Sequence, residues 1–109
     1  MNTNEIESVI KKVVAKHVDT DGTYVFLFGS RAEGTQRRAS DYDIGLYSGK
    51  PISWSVIARI KDELLEEYPI PVEIDVIDFA TVTNDFKKLA LREIKIWNKP
   101  KRKNSLKLI

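Results

Sequence analysis

One stretch, from Tyr24 to Leu46, constrains this chain more than any other: YVFLFGSRAEGTQRRASDYDIGL. A continuous apolar run from Tyr24 to Phe28 stops at Gly29-Ser30. A polar, basic connection follows, and a second apolar run opens with Asp41 and Asp43. The first run is short, β-branched and aromatic without alternation, which is the pattern of a strand buried on both faces. The second, 41–47, ends at Ser48-Gly49-Lys50-Pro51 and reads as another strand. Between them, residues 30–33 suit a short helical turn closed by Gly34, and 35–40 suit an exposed loop.

Two buried strands need cover, and the flanks supply it. Ile6, Val9, Ile10, Val13 and Val14, with His17 continuing the face, predict a helix over 4–18. Asn4 and Glu7 suit its capping box, and the Asp19–Gly22 turn ends it. Trp54, Ile57, Ile60, Leu64 and Tyr68, with Leu65 widening the stripe, predict a second helix over 53–67. Ser53 is its expected cap, Pro69 its terminator, and Glu63 falls on its polar side. Residues 72–77 alternate as a third strand, with Val72, Ile74 and Val76 on one face and Glu73, Asp75 and Ile77 on the other. From Asn84 a helix is expected to end near Arg92, followed by a short strand around Ile94 and Ile96. The expected class is α/β (α+β), a small mixed sheet flanked by helices.

At 109 residues, one domain is expected, 1–98, with a basic tail at 99–109. A chain of this size buries somewhat over about 60% of its unfolded surface and needs no staple. There are no cysteines and one histidine, which argues against a disulfide scaffold or a zinc site. No apolar run approaches the roughly 18 residues of a membrane span, and the N-terminus lacks a signal-peptide core. With no cysteine to protect, a cytoplasmic location is expected. A net charge of +2 does not by itself call for nucleic acid. The tail cluster Lys99, Lys101, Arg102, Lys103 and Lys107 reads as a solvated, mobile terminus; its functional alternative is contact with an acidic partner or RNA. His17, near a helix C-terminus, reads as structural rather than catalytic.

The chemistry lies in the carboxylates. A glycine after a buried strand lets the backbone turn close to a ligand, and the amides that follow attract anions. Gly29-Ser30, with the Ser30 hydroxyl and the Arg31 charge, therefore suits phosphate, although such a corner is common. Asp41 and Asp43, two apart on a strand, project from one face. Two like charges so placed are unfavourable unless water or a cation offsets them, and magnesium is the natural cation. Asp75 lies in a mostly apolar strand, where an unpaired carboxylate is costly to bury. The helix between the second and third strands would leave those strands parallel and adjacent, so Asp75 could join Asp41 and Asp43. An edge-strand acid facing water is the alternative. Glu73 is a lesser candidate ligand, and Asp78 reads as a cap.

Gly29-Ser30, ten residues, Asp41-Tyr42-Asp43 and a later-strand Asp75 resemble the nucleotidyltransferase superfamily related to the DNA polymerase beta palm. The short length resembles its minimal nucleotidyltransferases, encoded as one half of a two-component system. The likeness is specific from Tyr24 to Asp78; at Glu33-Gly34 it departs from relatives with a basic residue before the glycine. The resemblance implies a nucleotidyltransferase fold and transfer of an NMP, AMP in the leading reading, from a nucleotide triphosphate. Asp41, Asp43 and Asp75 would be the catalytic, metal-binding residues, holding two Mg2+ ions. Gly29, Ser30 and Arg31 would bind the nucleotide phosphates. With no acceptor-binding domain expected, the resemblance implies a small all-helical HEPN-type partner, with this chain as its antitoxin; self-association is also open. The rivals are a non-catalytic module that neutralises a partner by occlusion, and transfer to a small molecule or RNA.

Overall fold

The computed structural model describes residues 1–102 and 106–108. The elements are α1 (Thr3–His17), β1 (Tyr24–Phe28), α2 (Ser30–Glu33), β2 (Tyr42–Tyr47), α3 (Trp54–Glu66), β3 (Ile74–Asp78), α4 (Asn84–Ala90) and β4 (Lys95–Asn98). The strands form one mixed sheet in the order β3-β2-β1-β4. β1 pairs antiparallel with β2 and β4, whereas β2 and β3, joined through α3, are parallel. That is the adjacency expected of a helical crossover.

The unbroken apolar run of β1 follows from its place inside the sheet. Val25 and Leu27 face a core shared with Ile6, Ile10, Val13 and Val14 of α1 and Ile60 and Leu64 of α3. Phe26 and Phe28 face the other way, into a second cluster with Phe79, Leu91 and Leu108. Phe26 lies across Gly45, its register partner on β2, where any Cβ would overlap the ring. Strand β2 divides similarly, with Tyr42, Ile44 and Leu46 fully buried on the helical side.

Several local expectations are corrected. The α1 capping box is Asn2 with Glu5, not Asn4 with Glu7: the Glu5 amide donates to Asn2 Oδ1 at 2.8 Å, and the Asn2 amide to Glu5 Oε1 at 3.1 Å. The Asn-x-x-Glu pattern occurs twice in register, and the earlier copy gives the helix more hydrogen-bonded residues. Ser53 stands at the α3 N-cap, but its hydroxyl pairs with that of Ser55 and caps no amide. Trp54 and Leu65 are 80% and 79% exposed, so the apolar stripe of α3 is narrower than its sequence suggests. Glu63, expected to face solvent, meets α1: its Oε1 lies 2.9 Å from His17 Nε2 and 3.1 Å from Lys16 Nζ. His17 is thus a link between helices. None of the α4 side chains is buried; the helix ends at Ala90 with Leu91 as its cap, near Arg92 as expected.

The described part of the C-terminal tail is not a detached basic terminus. Pro100 and Leu108 are buried, Tyr24 Oη donates to the Leu106 carbonyl, and Arg102 Nη1 lies 2.7 Å from Asp19 Oδ2. Lys103 lies outside the described residues. No helix among the described residues is long and apolar enough to cross a membrane.

Candidate active site

The antiparallel pairing brings the C-terminal end of β1 beside the N-terminal end of β2, and the parallel pairing brings the start of β3 to the same end. Phe28, Asp43 and Asp75 are register partners in one row across the sheet. Cross-strand partners project from the same face, so Asp43 and Asp75 share the face opposite Tyr42, Ile44 and Val76. Asp41 is exposed and immediately precedes β2.

The carboxylates act on one another. Burial raises the Asp43 pKa above its ordinary value, and the charges of Asp75 and then Asp41 push it further in the same direction. Among the described residues neither Asp41 nor Asp43 has an ion-pair partner, whereas Asp75 Oδ1 lies 3.3 Å from Lys61 Nζ. Lys61 drew no notice in the sequence, because a lysine on the polar side of a helix carries no signal of what its head group meets.

Gly29 is demanded twice over. Its φ is +76°, a conformation L side chains rarely adopt, and a Cβ there would overlap the Asp43 carboxylate. The close approach expected of this glycine is therefore, in this structure, an approach to Asp43. The Gly29 carbonyl accepts from the amides of Ala32 and Glu33, which starts α2, and Gly34, in the left-handed region, closes it. Ser30 is the first residue of that turn, half-buried.

Arg31 has a different setting from its neighbours. It is buried; its Nε and Nη2 donate to the Ser40 carbonyl at 3.0 and 2.9 Å, and Nη2 also to that of Arg38 at 3.3 Å. Its guanidinium lies 4.1 Å from the centre of the Tyr42 ring, on the helical side of the sheet. Arg31 thereby ties the 35–40 loop down, while the carboxylates face the other way. Tyr42 is itself buried, which raises its pKa, and its hydroxyl lies 3.4 Å from Glu7 Oε2. Asp78 does not cap the next helix, whose N-cap is Thr83; its carboxylate instead accepts from the loop and turn amides of Ile52 and Ala80. Glu73 contributes its carbonyl to the Tyr42 amide, and its side chain is exposed.

The donor set suits a hard cation. Among the described residues no three acidic, histidine or cysteine side chains form a ready-made metal cluster. The row holds Asp43 and Asp75 at register distance with Asp41 near enough to perturb Asp43. A site of carboxylate oxygens left open for water and phosphate fits magnesium, which rarely uses an all-protein cage, and does not fit zinc.

Comparison with known proteins agrees with this fold. Residues 8–102 match the family described as "Polymerase beta, Nucleotidyltransferase". A protein of Haemophilus influenzae, described as a probable protein adenylyltransferase MntA, is 32% identical over 83 residues, 76% of this chain and 71% of that protein. A crystal structure of a toxin-antitoxin with AMP-PNP superposes with a TM-score of 0.68 at 21% identity, over 85% of this chain and 73% of the other. A mutant of the toxin-antitoxin MntA-HpeT superposes equally well, TM-score 0.68, at 19% identity and the same coverage. At those identities the structural likeness speaks for the fold.

Proposed function

Because this chain belongs to the polymerase beta nucleotidyltransferase family and is a nucleotidyltransferase, we propose that it moves AMP from ATP onto a hydroxyl of a partner protein. The partner in this reading is a small helical toxin of the HEPN type, in the cytoplasm, and the chain acts as its antitoxin. The observation that carries the reading is the row of Phe28, Asp43 and Asp75 across the sheet, with the Gly29 turn pressed against Asp43. The choice of AMP and of a protein acceptor is supported by the adenylyltransferase relative.

Asp41, Asp43 and Asp75 would hold magnesium, two ions being the usual complement for this chemistry. Bound there, the metal supplies positive charge against the attacking and leaving oxygens. Gly29 and Ser30 seat the terminal phosphates at the α2 turn, and Arg31 acts through the loop it anchors rather than on phosphate directly. The acceptor oxygen attacks the α-phosphate in line, the bond to the β-phosphate bridging oxygen breaks, and pyrophosphate leaves. Asp75, at the edge of the sheet, takes the hydroxyl proton. These residues position charge and exclude misaligned approaches; little covalent chemistry falls to the protein.

The test is incubation of the chain with magnesium, α-labelled ATP and a candidate helical partner. Label is expected on the partner, and Asp43→Asn is expected to lower transfer by about 100-fold or more while the fold survives. Full transfer by Asp43→Asn would remove these roles. Inhibition of the partner by Asp41→Asn/Asp43→Asn, with no label transferred by the native chain, would favour occlusion.

A further inference from the structure

Lys61 is a charged group in contact with the acidic row that the catalytic reading does not use. It stands on α3, in the helical layer, whereas Asp75 alternates with Ile74 and Val76, which pack in that layer, and so presents its carboxylate to the opposite face. The two meet because β3 is an edge strand. The lysine stem passes around that edge and brings Nζ within 3.3 Å of Asp75 Oδ1. Both side chains are about half exposed, 44% and 50%, so the pair is exchangeable and contributes little to stability.

We propose that Lys61 is a positioning residue that stands in for a cation at Asp75, holding that carboxylate in the metal-free enzyme and yielding it to a divalent ion. The inference rests on the carboxylate reading above. Asp75 is the member of the acidic row without an enclosing neighbour strand, so its rotamer is the least constrained. An ammonium on a flexible stem is a weak, mobile counter-charge, well suited to being displaced. While it remains, it would oppose the approach of a second positive charge to the carboxylate it contacts. Lys61 therefore lowers affinity for metal alone and leaves occupancy of Asp75 to the arrival of the anionic triphosphate with its ions.

The experiment titrates the full chain with Mn2+ alone, following free Mn2+ by electron paramagnetic resonance. Lys61→Gln is expected to bind Mn2+ about three- to tenfold more tightly than the native chain. Lys61→Arg, which keeps the charge, is expected to stay near the native affinity. In an Asp75→Asn background the Lys61→Gln gain should vanish. Unchanged or weaker binding by Lys61→Gln, or an equal gain without Asp75, overturns the proposal. If native binding is lost in Asp43→Asn but untouched by Lys61→Gln, Lys61 alone is misassigned. If neither the native chain nor Lys61→Gln binds Mn2+, the carboxylate reading falls with the proposal.

Discussion

At Asp43 three effects act in one direction: burial, the Asp75 charge and the Asp41 charge all disfavour ionisation. The folded pKa lies above the unfolded one, so below the unfolded value the group is neutral in both states and folding bears no charge penalty. As pH rises through the window up to the folded pKa, the unfolded chain releases its proton first and stability falls. Metal-free Asp43→Asn is therefore expected to melt a few degrees above the native chain at pH 7, with the gap closing toward pH 3. Added Mg2+ should close the same gap at pH 7 by stabilising the native chain alone. Thermal melts of both proteins across pH, with and without Mg2+, check this; a native chain insensitive to pH over that window would refute it. On the proposed reading, the site would carry a stability cost, as functional sites commonly do.

Among the elements, α1 carries two caps in its sequence and uses one. Asn2→Ala removes a side-chain acceptor that the structure uses, and is expected to cost about 0.5–2 kcal/mol in urea denaturation. Asn4→Ala, at an exposed position within the helix, is expected to change stability by under about 0.5 kcal/mol. The reverse ranking would restore the later start. Helices α1 and α3 are also joined by charge: His17, then Lys16, hydrogen-bond the Glu63 carboxylate and lower its pKa. That stabilisation is present above the unfolded pKa of Glu63 and is lost as pH falls through the depressed folded value. Glu63→Gln is expected to lower the melting temperature at pH 7 and to match the native chain under strongly acidic conditions. A difference that persists in acid would mean packing, not charge, joins these helices.

For the molecule as a whole, the two sheet faces are covered unequally. Helices α1 and α3 bury one, while the other depends on Phe79, Leu91 and Leu108 gathered from the second half of the chain around Phe26 and Phe28. The aromatic rings there meet edge to face, Phe26 and Phe79 at 4.8 Å and Phe28 and Phe79 at 5.1 Å between centres. Leu108→Ala is expected to cost about 2 kcal/mol or more, a value typical of a buried leucine rather than of a solvated tail. A change under about 0.5 kcal/mol on denaturation would return this segment to the solvent.

Much of the architecture was readable from side-chain periodicity. Short unbroken apolar runs marked β1 and β2, period two marked β3, period near 3.6 marked the helices, and the α3 crossover implied that β2 and β3 run parallel. The residues proposed for the site were also legible, because Gly29-Ser30 and the aspartates are conspicuous against apolar strands. Other features left no local mark. Trp54 and Leu65 have the spacing of core residues, yet the width of a buried stripe depends on how closely the neighbouring layer approaches. Asn2 and Asn4 offer the same capping chemistry, and only the docked helix distinguishes them. Arg31 looked like a phosphate ligand because its charge is local to the turn, but its direction is set by Tyr42 and the carbonyls of the loop. The sequence by itself determined which segments become strands and helices and which residue types meet at the sheet's end, since these follow from short-range patterning. The tertiary structure decided where each charge points: Gly29 against Asp43, Arg31 beneath the loop, Lys61 around the edge of β3 to Asp75. Such contacts depend on distances between elements far apart in the chain, and those distances exist only once the sheet has closed.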